Sequence, residues 1–440
     1  MLTHECKGNA SYKHLSIKQE NIDLYYKNKP RIFATVPQYH TFLNSTPNQL
    51  KEHSFLLYKQ LLKAGCIIDN NINESQLLCE RIKQVDNQQG SYILTINPTM
   101  SCNFKCWYCY ETHLKRSEMS PEMLEYTKKF ITKRLSKYNC DMFHLSFFGG
   151  EPLLYYQNIV RPLIQHLIQE SVVYNIPYSI GFTSNGYLLN DKIVEELKKY
   201  RVSSFQITLD GGKKAHNKVR YTHEGNDSYT KIVENVKKLL HVGISVVLRI
   251  NYTIDNLSTV GTIINDFRNL TADEKKFLQV DLQRVWQDSN SNNTILNEDL
   301  LEKYMLSFKD IGIPVSAPIM DQVWNPCYAD KTNQAVINYN GDVFKCTARD
   351  FTRENRLGVL NEDGTIKWDE KKMKQREGVR LSKDVCKQCR IAPICGGTCT
   401  QRGLDSGNSN QCIRGLDESG KDKIVLNQFY YNIVKNGVSI

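Results

Sequence analysis

The sequence predicts an α/β fold: a partial (β/α)6 barrel of the TIM type, with a small α+β module before it and a loop-rich, cysteine-bearing region after it. The first supporting observation is that strand-like and helical segments alternate between residues 91 and 314. Such alternation requires parallel strands joined by crossover helices. The second observation is that cysteines recur at patterned spacings beyond residue 314. A chain of 440 residues also exceeds one ordinary domain. We therefore predict domains over residues 1–90, 91–314 and 315–440.

The alternating region contains six predicted strands and six predicted helices. The strands are Ser91–Asn97, Phe143–Phe148, Tyr178–Thr183, Phe205–Leu209, Ile244–Asn251 and Gln279–Trp286. The helices are Pro121–Tyr138, Tyr155–Tyr174, Asp191–Tyr200, Tyr229–His241, Leu257–Phe267 and Glu298–Asp310. Because active sites of such folds lie at the carboxyl ends of the strands, we expect the functional groups on the loops there.

The first ninety residues are predicted to form a separate small module. Strand-like segments IDLYY and RIFATV precede a helix over Lys51–Ala64, whose apolar residues recur at spacings of three and four. Gly65 can end this helix, and Cys66–Ile68 then predicts a short strand. Cys66 and Cys79 are predicted to be buried apolar residues rather than ligands.

Composition predicts a protein of the cytoplasm. Lys and Arg number 57 against 47 Asp and Glu, giving a formal charge of +10, but the positive residues are scattered, which indicates a solvated surface. We expect no nucleic-acid partner. The polar start of the chain predicts neither a signal peptide nor a membrane span. Cytoplasmic thiols stay reduced, so most of the fourteen cysteines are predicted to be metal ligands. Four are isolated: Cys6, Cys66, Cys79 and Cys140.

Three further cysteines, Cys102, Cys106 and Cys109, form a CxxxCxxC motif directly after the first predicted barrel strand. Three thiolates can bind three irons of a 4Fe-4S cube and leave the fourth iron open to a ligand with an amine and a carboxylate. The alternatives are a zinc knuckle or three unrelated buried thiols. The motif resembles the loop of radical S-adenosylmethionine (SAM) enzymes, which implies that these cysteines hold the catalytic cluster.

The resemblance implies a set of SAM-binding residues on the loops after the next strands. Gly149-Gly150-Glu151-Pro152 resembles the family's loop for the methionyl amine of SAM, where glycines permit close approach to the backbone. Tyr108 occupies the aromatic position that lies by the adenine. The residues expected near the ribose and carboxylate are Asn185, Thr208, Asp210 and Arg220. Each alone could be a turn residue or a helix cap. Arg249 and Asn251 are further pocket candidates.

Beyond Pro314 the chain resembles the SPASM domain of radical SAM enzymes that act on peptides and proteins. The matching cysteines are Cys327, Cys346, Cys386, Cys389, Cys395, Cys399 and Cys412. Asn340-Gly341-Asp342 predicts a tight hairpin between QAVINY and VFKC, which would place Cys346 beside the cavity. A zinc ribbon is the competing interpretation of the paired cysteines.

The resemblance assigns the seven cysteines to two auxiliary clusters. Cys386, Cys389, Cys395 and Cys412 would hold the distal cluster, and Cys327, Cys346 and Cys399 the proximal one. The proximal cluster would then have either an oxygen or nitrogen ligand or one open iron. Anaerobic sulfatase-maturing enzymes, which share this architecture, have an aspartate that acts as a base at the position after Cys346. This chain has Thr347 there.

These features together predict a radical SAM/SPASM oxidoreductase that matures a ribosomally made precursor peptide. SAM and three 4Fe-4S clusters are the implied cofactors, and an electron donor such as flavodoxin or ferredoxin is an implied partner. A 5'-deoxyadenosyl radical would remove hydrogen from the peptide, and a C–C, C–S or C–O crosslink would form. The N-terminal module resembles one that binds a leader peptide by strand addition, and a plain cap remains the alternative. Alternative functions are a formylglycine-generating sulfatase maturase and an inactive SPASM scaffold that binds peptides.

Overall fold

The computed structural model describes residues 21–24, 32–35, 46–63, 67, 72–137, 140–222, 225, 227–290, 298–316, 320–407 and 409–435. The chain divides into two compact units. One consists of residues 1–86, 317–330 and 376–440, and the other of residues 87–316 and 331–375. Among the helices of the described ranges, none has the length and apolar character needed to span a bilayer. The predicted domain boundaries remain a prediction.

The first unit combines N-terminal and C-terminal segments of the chain. Its strands β1 (Asn21–Leu24) and β2 (Ile32–Thr35) pair antiparallel. Its helices are Pro47–His53, Phe55–Lys63, Glu74–Asp86, Asp384–Lys387, Ala392–Cys395, Thr400–Asp405 and Glu418–Lys435, with a 3-10 turn at Tyr328–Asp330. One small apolar core of this unit is formed by Ile82, Val323, Leu381 and Ala392.

The second unit contains one ten-stranded sheet. Its strands are β3 (Gly90–Asn97), β4 (Cys140–Phe147), β5 (Tyr178–Ser184), β6 (Ser204–Asp210), β7 (Ser245–Tyr252), β8 (Leu278–Arg284), β9 (Gln334–Asn338), β10 (Asp342–Phe344), β11 (Gly358–Leu360) and β12 (Ile366–Trp368). The order is β12-β11-β10-β9-β3-β4-β5-β6-β7-β8. Strands β3 to β8 are parallel, and β9 pairs parallel with β3, while β9 to β12 are antiparallel. The sheet therefore has a parallel-dominated α/β arrangement.

Helices connect the parallel strands, as the crossover rule requires. The α-helices are Pro121–Lys137, Arg161–Tyr174, Asp191–Lys199, Lys213–Val219, Ser228–His241, Ile263–Phe267, Ala272–Lys276, Glu298–Asp310 and Glu370–Arg376. Stacked aromatic rings fill the core: the Phe182 ring lies 4.9 Å from that of Phe147 and 4.6 Å from that of Phe205. These residues belong to adjacent strands, so the stack fixes the register of β4, β5 and β6.

All six predicted strands of the alternating region are confirmed, and the largest difference is that β4 begins at Cys140 rather than Phe143. The helix predicted over Lys51–Ala64 is wrong as a single helix, because Ser54 leaves helical geometry with φ −151° between two helices. Two further predicted helices begin irregularly. A 3-10 turn and a π-helix precede Arg161, since Pro162 cannot donate a backbone hydrogen bond, and a 3-10 segment, Leu257–Thr262, precedes Ile263.

Three smaller predictions also have outcomes. The hairpin around Gly341 is confirmed, with φ +81° at the glycine and antiparallel pairing of β9 with β10. The last predicted strand ends at Arg284, and Trp286 begins a 3-10 helix instead. Cys79 is half-buried against the small core of the first unit rather than fully buried. The strand predicted at Cys66–Ile68 cannot be compared, because Cys66 and Ile68 lie outside the described residues.

Candidate active site

The loop that bears Cys102, Cys106 and Cys109 is anchored by an aromatic side chain in its middle. The Phe104 side chain is 1% exposed, and its backbone pairs with that of Thr222 in a single antiparallel β-bridge. Its ring lies 5.5 Å from the Tyr187 ring, and the Arg220 guanidinium lies 5.6 Å from its centroid. Burial of a Phe side chain stabilises a structure by about 1.5–3 kcal/mol. Phe104 therefore holds the loop against residues that follow β5 and β6, while its neighbours in sequence remain available for binding.

The three thiols of the loop interact electrostatically. Cys102 and Cys106 are half-buried, whereas Cys109 is exposed. Burial raises the pKa of Cys102 to about 12, the pKa of Cys109 to about 11, and also the pKa of Cys106. The charge on Cys106 raises the pKa of both other thiols, and Arg220 opposes the rise at all three. The thiols are thus mutual neighbours beside one fixed cation.

This donor set fits a cluster that takes three thiolates. Two buried donor atoms have no hydrogen-bond partner: Asn103 Nδ2 on the loop itself, and Arg220 Nε, which lies 3.5 Å from Asp210 Oδ2. The unpartnered Asn103 amide fits a polar ligand at this place. Within the described ranges, no group of three or more His, Cys, Asp or Glu side chains is arranged to hold a single metal ion.

The predicted Gly-Gly-Glu-Pro segment packs directly against the cysteine loop. Gly149 and Gly150 have φ values of +75° and +37°, which favour glycine. A Cβ added at Gly150 would lie 2.2 Å from the Ser101 carbonyl oxygen. The Glu151 N–H donates to that same oxygen at 2.8 Å, and the Gly150 N–H donates to Glu111 Oε2 at 2.8 Å. Close packing on Ser101, next to Cys102, therefore requires Gly150, and close packing on Asn97 of β3 requires Gly149.

Glu151 connects the loop after β4 to the end of β5. Its side chain is fully buried and accepts from Leu153 N at 3.0 Å, Ser184 Oγ at 2.8 Å and Asn185 N at 2.7 Å. Burial raises the pKa of this carboxyl, and these hydrogen bonds oppose the rise. Pro152 follows it at the first turn of a 3-10 helix that Glu151 caps. The contact of Glu151 with the SAM amine remains a prediction.

The Tyr108 hydroxyl contacts three of the other predicted pocket residues. It donates to Asp210 Oδ2 at 2.7 Å and accepts from Arg220 Nη1 at 2.9 Å and Asn251 Nδ2 at 3.2 Å. Asp210 and Arg220 also form an ion pair at 3.5 Å, and both are buried. Burial raises the pKa of Tyr108, so the phenol stays protonated at neutral pH. The network ties the cysteine loop to the ends of β6 and β7.

Asn185 and Thr208 complete the predicted SAM contacts. Asn185 Nδ2 donates to Asn103 Oδ1 at 2.8 Å and lies 3.9 Å from Cys102 Sγ, so it borders the thiols. Thr208 is half-buried on β6, where it pairs with Arg249 of β7. The structure therefore brings Asn185 to the cysteine loop, while the role predicted for Thr208 remains a prediction.

Sequence reasoning missed several residues that contact the loop. Burial raises the pKa of Glu111 to about 7, and its carboxylate accepts from the Gly150 N–H. His113 Nε2 lies 3.4 Å from Cys109 Sγ, and burial lowers the pKa of this imidazole. Gln287 Nε2 donates to the Tyr108 carbonyl at 2.6 Å. Only His113 had a local signal, since it follows Cys109 by four residues. His216 was missed as well, and it contacts Asp210 at the end of β6 rather than the loop: its Nδ1 accepts from the Asp210 N–H at 3.2 Å.

The other predicted ligands lie on both units. In the first unit, burial raises the pKa of Cys386, and the charges of Cys395, Cys389 and Cys412 raise it further. Because such charge interactions require short distances, these three thiols lie near Cys386. Cys327 precedes the 3-10 turn of that unit, and Cys399 is the residue before helix Thr400–Asp405. Cys346 belongs to the second unit, where it follows β10 and its Sγ accepts from Ala348 N at 3.3 Å. The assignment of Cys327, Cys346 and Cys399 to one cluster remains a prediction.

Residues 96–266 match the profile described as the Radical SAM superfamily. This range begins in β3 and contains the CxxxCxxC motif, the Gly-Gly-Glu-Pro segment and the Tyr108 network. The chain therefore contains a radical SAM domain.

Curated relatives extend the similarity beyond that range. The radical SAM cyclopropyl synthase TigE of Paramaledivibacter caminithermalis is 27% identical over 412 residues, which cover 86% of this chain and 81% of the relative. The cysteine-type anaerobic sulfatase-maturating enzyme of Clostridium novyi is 26% identical over 341 residues, which cover 70% of this chain and 88% of the relative. The chain is thus related to radical SAM enzymes over most of its length.

Solved structures agree at the level of the fold. The structure of anSMEcpe with bound AdoMet matches with a TM-score of 0.56 and 18% identity, covering 78% of this chain and 97% of that chain. Streptococcus suis SuiB bound to precursor peptide SuiA matches with a TM-score of 0.52 and 16% identity, covering 88% of this chain and 95% of that chain. Both structures share the overall fold of this chain.

Proposed function

We propose that the chain is a radical SAM/SPASM oxidoreductase that acts on a ribosomally made precursor peptide and forms a new C–C, C–S or C–O bond within it. One observation carries the radical SAM part: the mutually interacting thiols of Cys102, Cys106 and Cys109 lie on a loop bonded to residues from the ends of β4, β5 and β6. The peptide part is supported by SuiB, which was solved with a precursor peptide.

A 4Fe-4S cluster and SAM, when bound here, supply a 5'-deoxyadenosyl radical that removes a hydrogen atom from a carbon of the peptide. The residues of the chain position and shield these groups. Cys102, Cys106 and Cys109 would hold the cluster. The backbone of Gly149–Pro152 and the Asn185 amide would face the amino acid part of SAM, and Arg220, held by Tyr108 and Asp210, supplies a buried positive charge for its carboxylate. A fixed geometry of this kind restricts the reaction to one substrate atom.

The cysteines of the C-terminal region would hold two auxiliary clusters. The mutual proximity of Cys386, Cys389, Cys395 and Cys412 supports the distal set. The proximal set, Cys327, Cys346 and Cys399, rests on the spacing of the motif. These clusters would accept the surplus electron or bind the reacting group, and an external donor such as flavodoxin or ferredoxin would supply electrons to the first cluster.

Cyclopropane formation is a specific variant of this proposal, and the similarity to TigE favours it. Both a crosslink and a cyclopropane ring remove two hydrogens from the peptide, but the ring forms within one residue. Formylglycine formation is less well supported, because Thr347 follows Cys346 and provides no carboxylate base. The backbone carbonyl of Thr347 accepts a hydrogen bond from Tyr110 Oη at 2.7 Å.

The first test uses the precursor peptide encoded beside the gene, with reductant and SAM. We expect a product about two mass units lighter, because two hydrogens leave. Tandem mass spectrometry then distinguishes the two products. A crosslink suppresses fragments between the joined residues. A cyclopropane ring permits backbone fragmentation at every position and locates the loss of two mass units on one residue. A mass gain, or deuterium uptake from heavy water without mass loss, would refute bond formation in favour of methyl transfer or epimerisation. An aldehyde on a target Cys or Ser would establish formylglycine formation instead.

The second test replaces Cys102, Cys106 and Cys109 together by Ala. We expect the loss of about a third of roughly twelve irons per chain and of all SAM cleavage. Cys79→Ala is the matched control, since Cys79 is an isolated, half-buried cysteine of the first unit. SAM cleavage that persists in the triple variant would contradict the assignment of this loop.

The third test concerns the first ninety residues, which we propose to bind the leader segment of the peptide. Deleting them should weaken peptide binding, measured by fluorescence anisotropy of a labelled leader, and spare basal SAM cleavage, provided that the truncated barrel still folds, which circular dichroism checks because the deletion removes Gly90 of β3. Unchanged leader affinity with intact SAM cleavage would show that the leader binds elsewhere.

A further inference from the structure

His113 lies against one of the three loop thiols, and nothing in the motif assigns it a role. Its Nε2 is 3.4 Å from Cys109 Sγ, within the range of a hydrogen bond to sulfur. Cys109 is the exposed thiol of the three, whereas Cys102 and Cys106 are half-buried. The contact therefore occurs at the ligand that the rest of the fold covers least.

The direction of this hydrogen bond follows from chemistry. A thiolate that ligates iron has no proton, so it can only accept. His113 must then donate from Nε2, which carries a proton both in the imidazolium and in one neutral tautomer. The Glu111 N–H is a second donor to the same sulfur.

The chain around His113 is held in place by its neighbour. The Thr112 N–H donates to Asp350 Oδ1 at 2.9 Å, and the Thr112 hydroxyl donates to Asp350 Oδ2 at 2.5 Å. The Leu114 N–H donates to the Met100 carbonyl at 3.3 Å, which fixes the residue on the other side of His113. A donor restrained from both sides can hold one orientation toward the sulfur.

We propose that His113 is a positioning residue that donates an Nε2–H···Sγ hydrogen bond to the Cys109 thiolate and thereby raises the reduction potential of the cluster. The inference rests on the proposed function, because it requires a cluster on this loop. A donor at a cluster sulfur draws electron density from the iron and stabilises the reduced, more negative state. His113 would thus make the one-electron reduction of the cluster easier for a given electron donor.

The test measures the midpoint potential of the SAM-binding cluster in the whole reconstituted enzyme. This cluster is identified by the change that added SAM makes to its electron paramagnetic resonance signal. His113→Leu removes the donor, and His113→Gln places an amide N–H near the position of Nε2. His241→Leu is the matched control, since the His241 side chain is 80% exposed on a distant helix of the same unit.

We expect His113→Leu to bind the wild-type amount of iron but to show at least a tenfold lower ratio of reduced to oxidised cluster at a fixed potential. For one electron, tenfold corresponds to about 59 mV. His113→Gln and His241→Leu should stay near the wild-type potential. An unchanged potential in His113→Leu would overturn the inference.

Two further outcomes remain decisive. If His113→Leu loses about a third of its iron, the result for His113→Gln decides between a donor and a packing role. Wild-type iron content and potential in His113→Gln support the donor role. A similar loss of iron in His113→Gln overturns it and shows that His113 acts by packing alone. If the wild-type enzyme itself shows no signal that responds to SAM, the proposed function fails, and the inference fails with it for that separate reason.

Discussion

Gly150 lies where the loop after β4 passes over the cysteine loop, and its Cα approaches the Ser101 carbonyl too closely for any side chain. We expect Gly150→Ala to destabilise the fold and to reduce iron bound by this loop, because a Cβ would lie 2.2 Å from a backbone oxygen. Urea unfolding and iron analysis measure both effects.

Gly225→Ala is the control for that substitution. Gly225 has φ +67°, so Ala there has the same kind of backbone strain, about 1–2 kcal/mol, but among the described residues its Cβ would meet no atom within 4 Å. The difference between the two variants isolates the collision with the cysteine loop. Equal stability and equal iron content would show that the loop moves to accommodate the new methyl group.

The side chains of the site differ in how far the sequence could predict them. The thiols and the Gly-Gly-Glu-Pro segment could be proposed from the sequence because each forms a local pattern, and the structure places the two segments in contact. Glu111 was not, because its partner Gly150 is 39 residues away and a single acidic residue gives no pattern. The role of Tyr108 was only partly predictable, since the polar partners of its hydroxyl come from separate strands.

Among the helices, Ser228–His241 has a charged N-cap that also pairs with another helix. Asp227 accepts from Thr230 N at 3.2 Å and forms an ion pair with Lys213 at 2.5 Å. Asp227→Ala should lower the free energy of unfolding by about 1 kcal/mol, and Asp227→Asn by less, because Asn keeps the cap. Thermal or urea unfolding of the three proteins measures this.

The same residue gives a pH dependence. Slight burial opposes the shift, but hydrogen bonds from Lys213, Asn217 and Thr230 lower the pKa of Asp227 below its ordinary value of 3.8. The stabilisation is therefore present above about pH 4 and is lost as the pH falls further. The difference between wild type and Asp227→Ala should shrink in acid. A difference that is constant down to pH 2 would contradict the ionised cap.

Secondary structure was predictable where burial imposes a period. The parallel strands have runs of apolar residues long enough to identify, and so they were predicted with small boundary errors. Short elements were missed: β11 and β12 have three residues each, and helix Lys213–Val219 has one buried residue, His216. In such segments, tertiary contacts decide the conformation, and the local sequence has little periodicity to detect.

For the whole molecule, we expect metal content and stability to be linked in the first unit. Cys386 and Cys389 pack against one of its apolar clusters, which among the described residues contains only four buried members. An iron-sulfur cluster on Cys386, Cys389, Cys395 and Cys412 would therefore stabilise this part of the unit. Replacing these four by Ala should remove about a third of the iron and lower the unfolding temperature of this unit.

Calorimetry with iron and zinc analysis tests that expectation, with Cys79→Ala as the control. Zinc in place of iron after anaerobic purification would favour the ribbon interpretation. Wild-type iron content in the quadruple variant would exclude a cluster at these cysteines.

The pairing of β3 with β9 also matters during synthesis. Asn97 at the end of β3 and its neighbour Asn338 on β9 are 241 residues apart in sequence. At about 5–20 residues per second, the ribosome needs roughly 12 to 48 s to make that interval. Throughout this time one edge of β3 has unpaired backbone groups, which can pair with a strand of another nascent chain. The protein therefore completes its sheet only after β9 to β12 have been made, and holding chaperones have the most to protect just before β9 emerges.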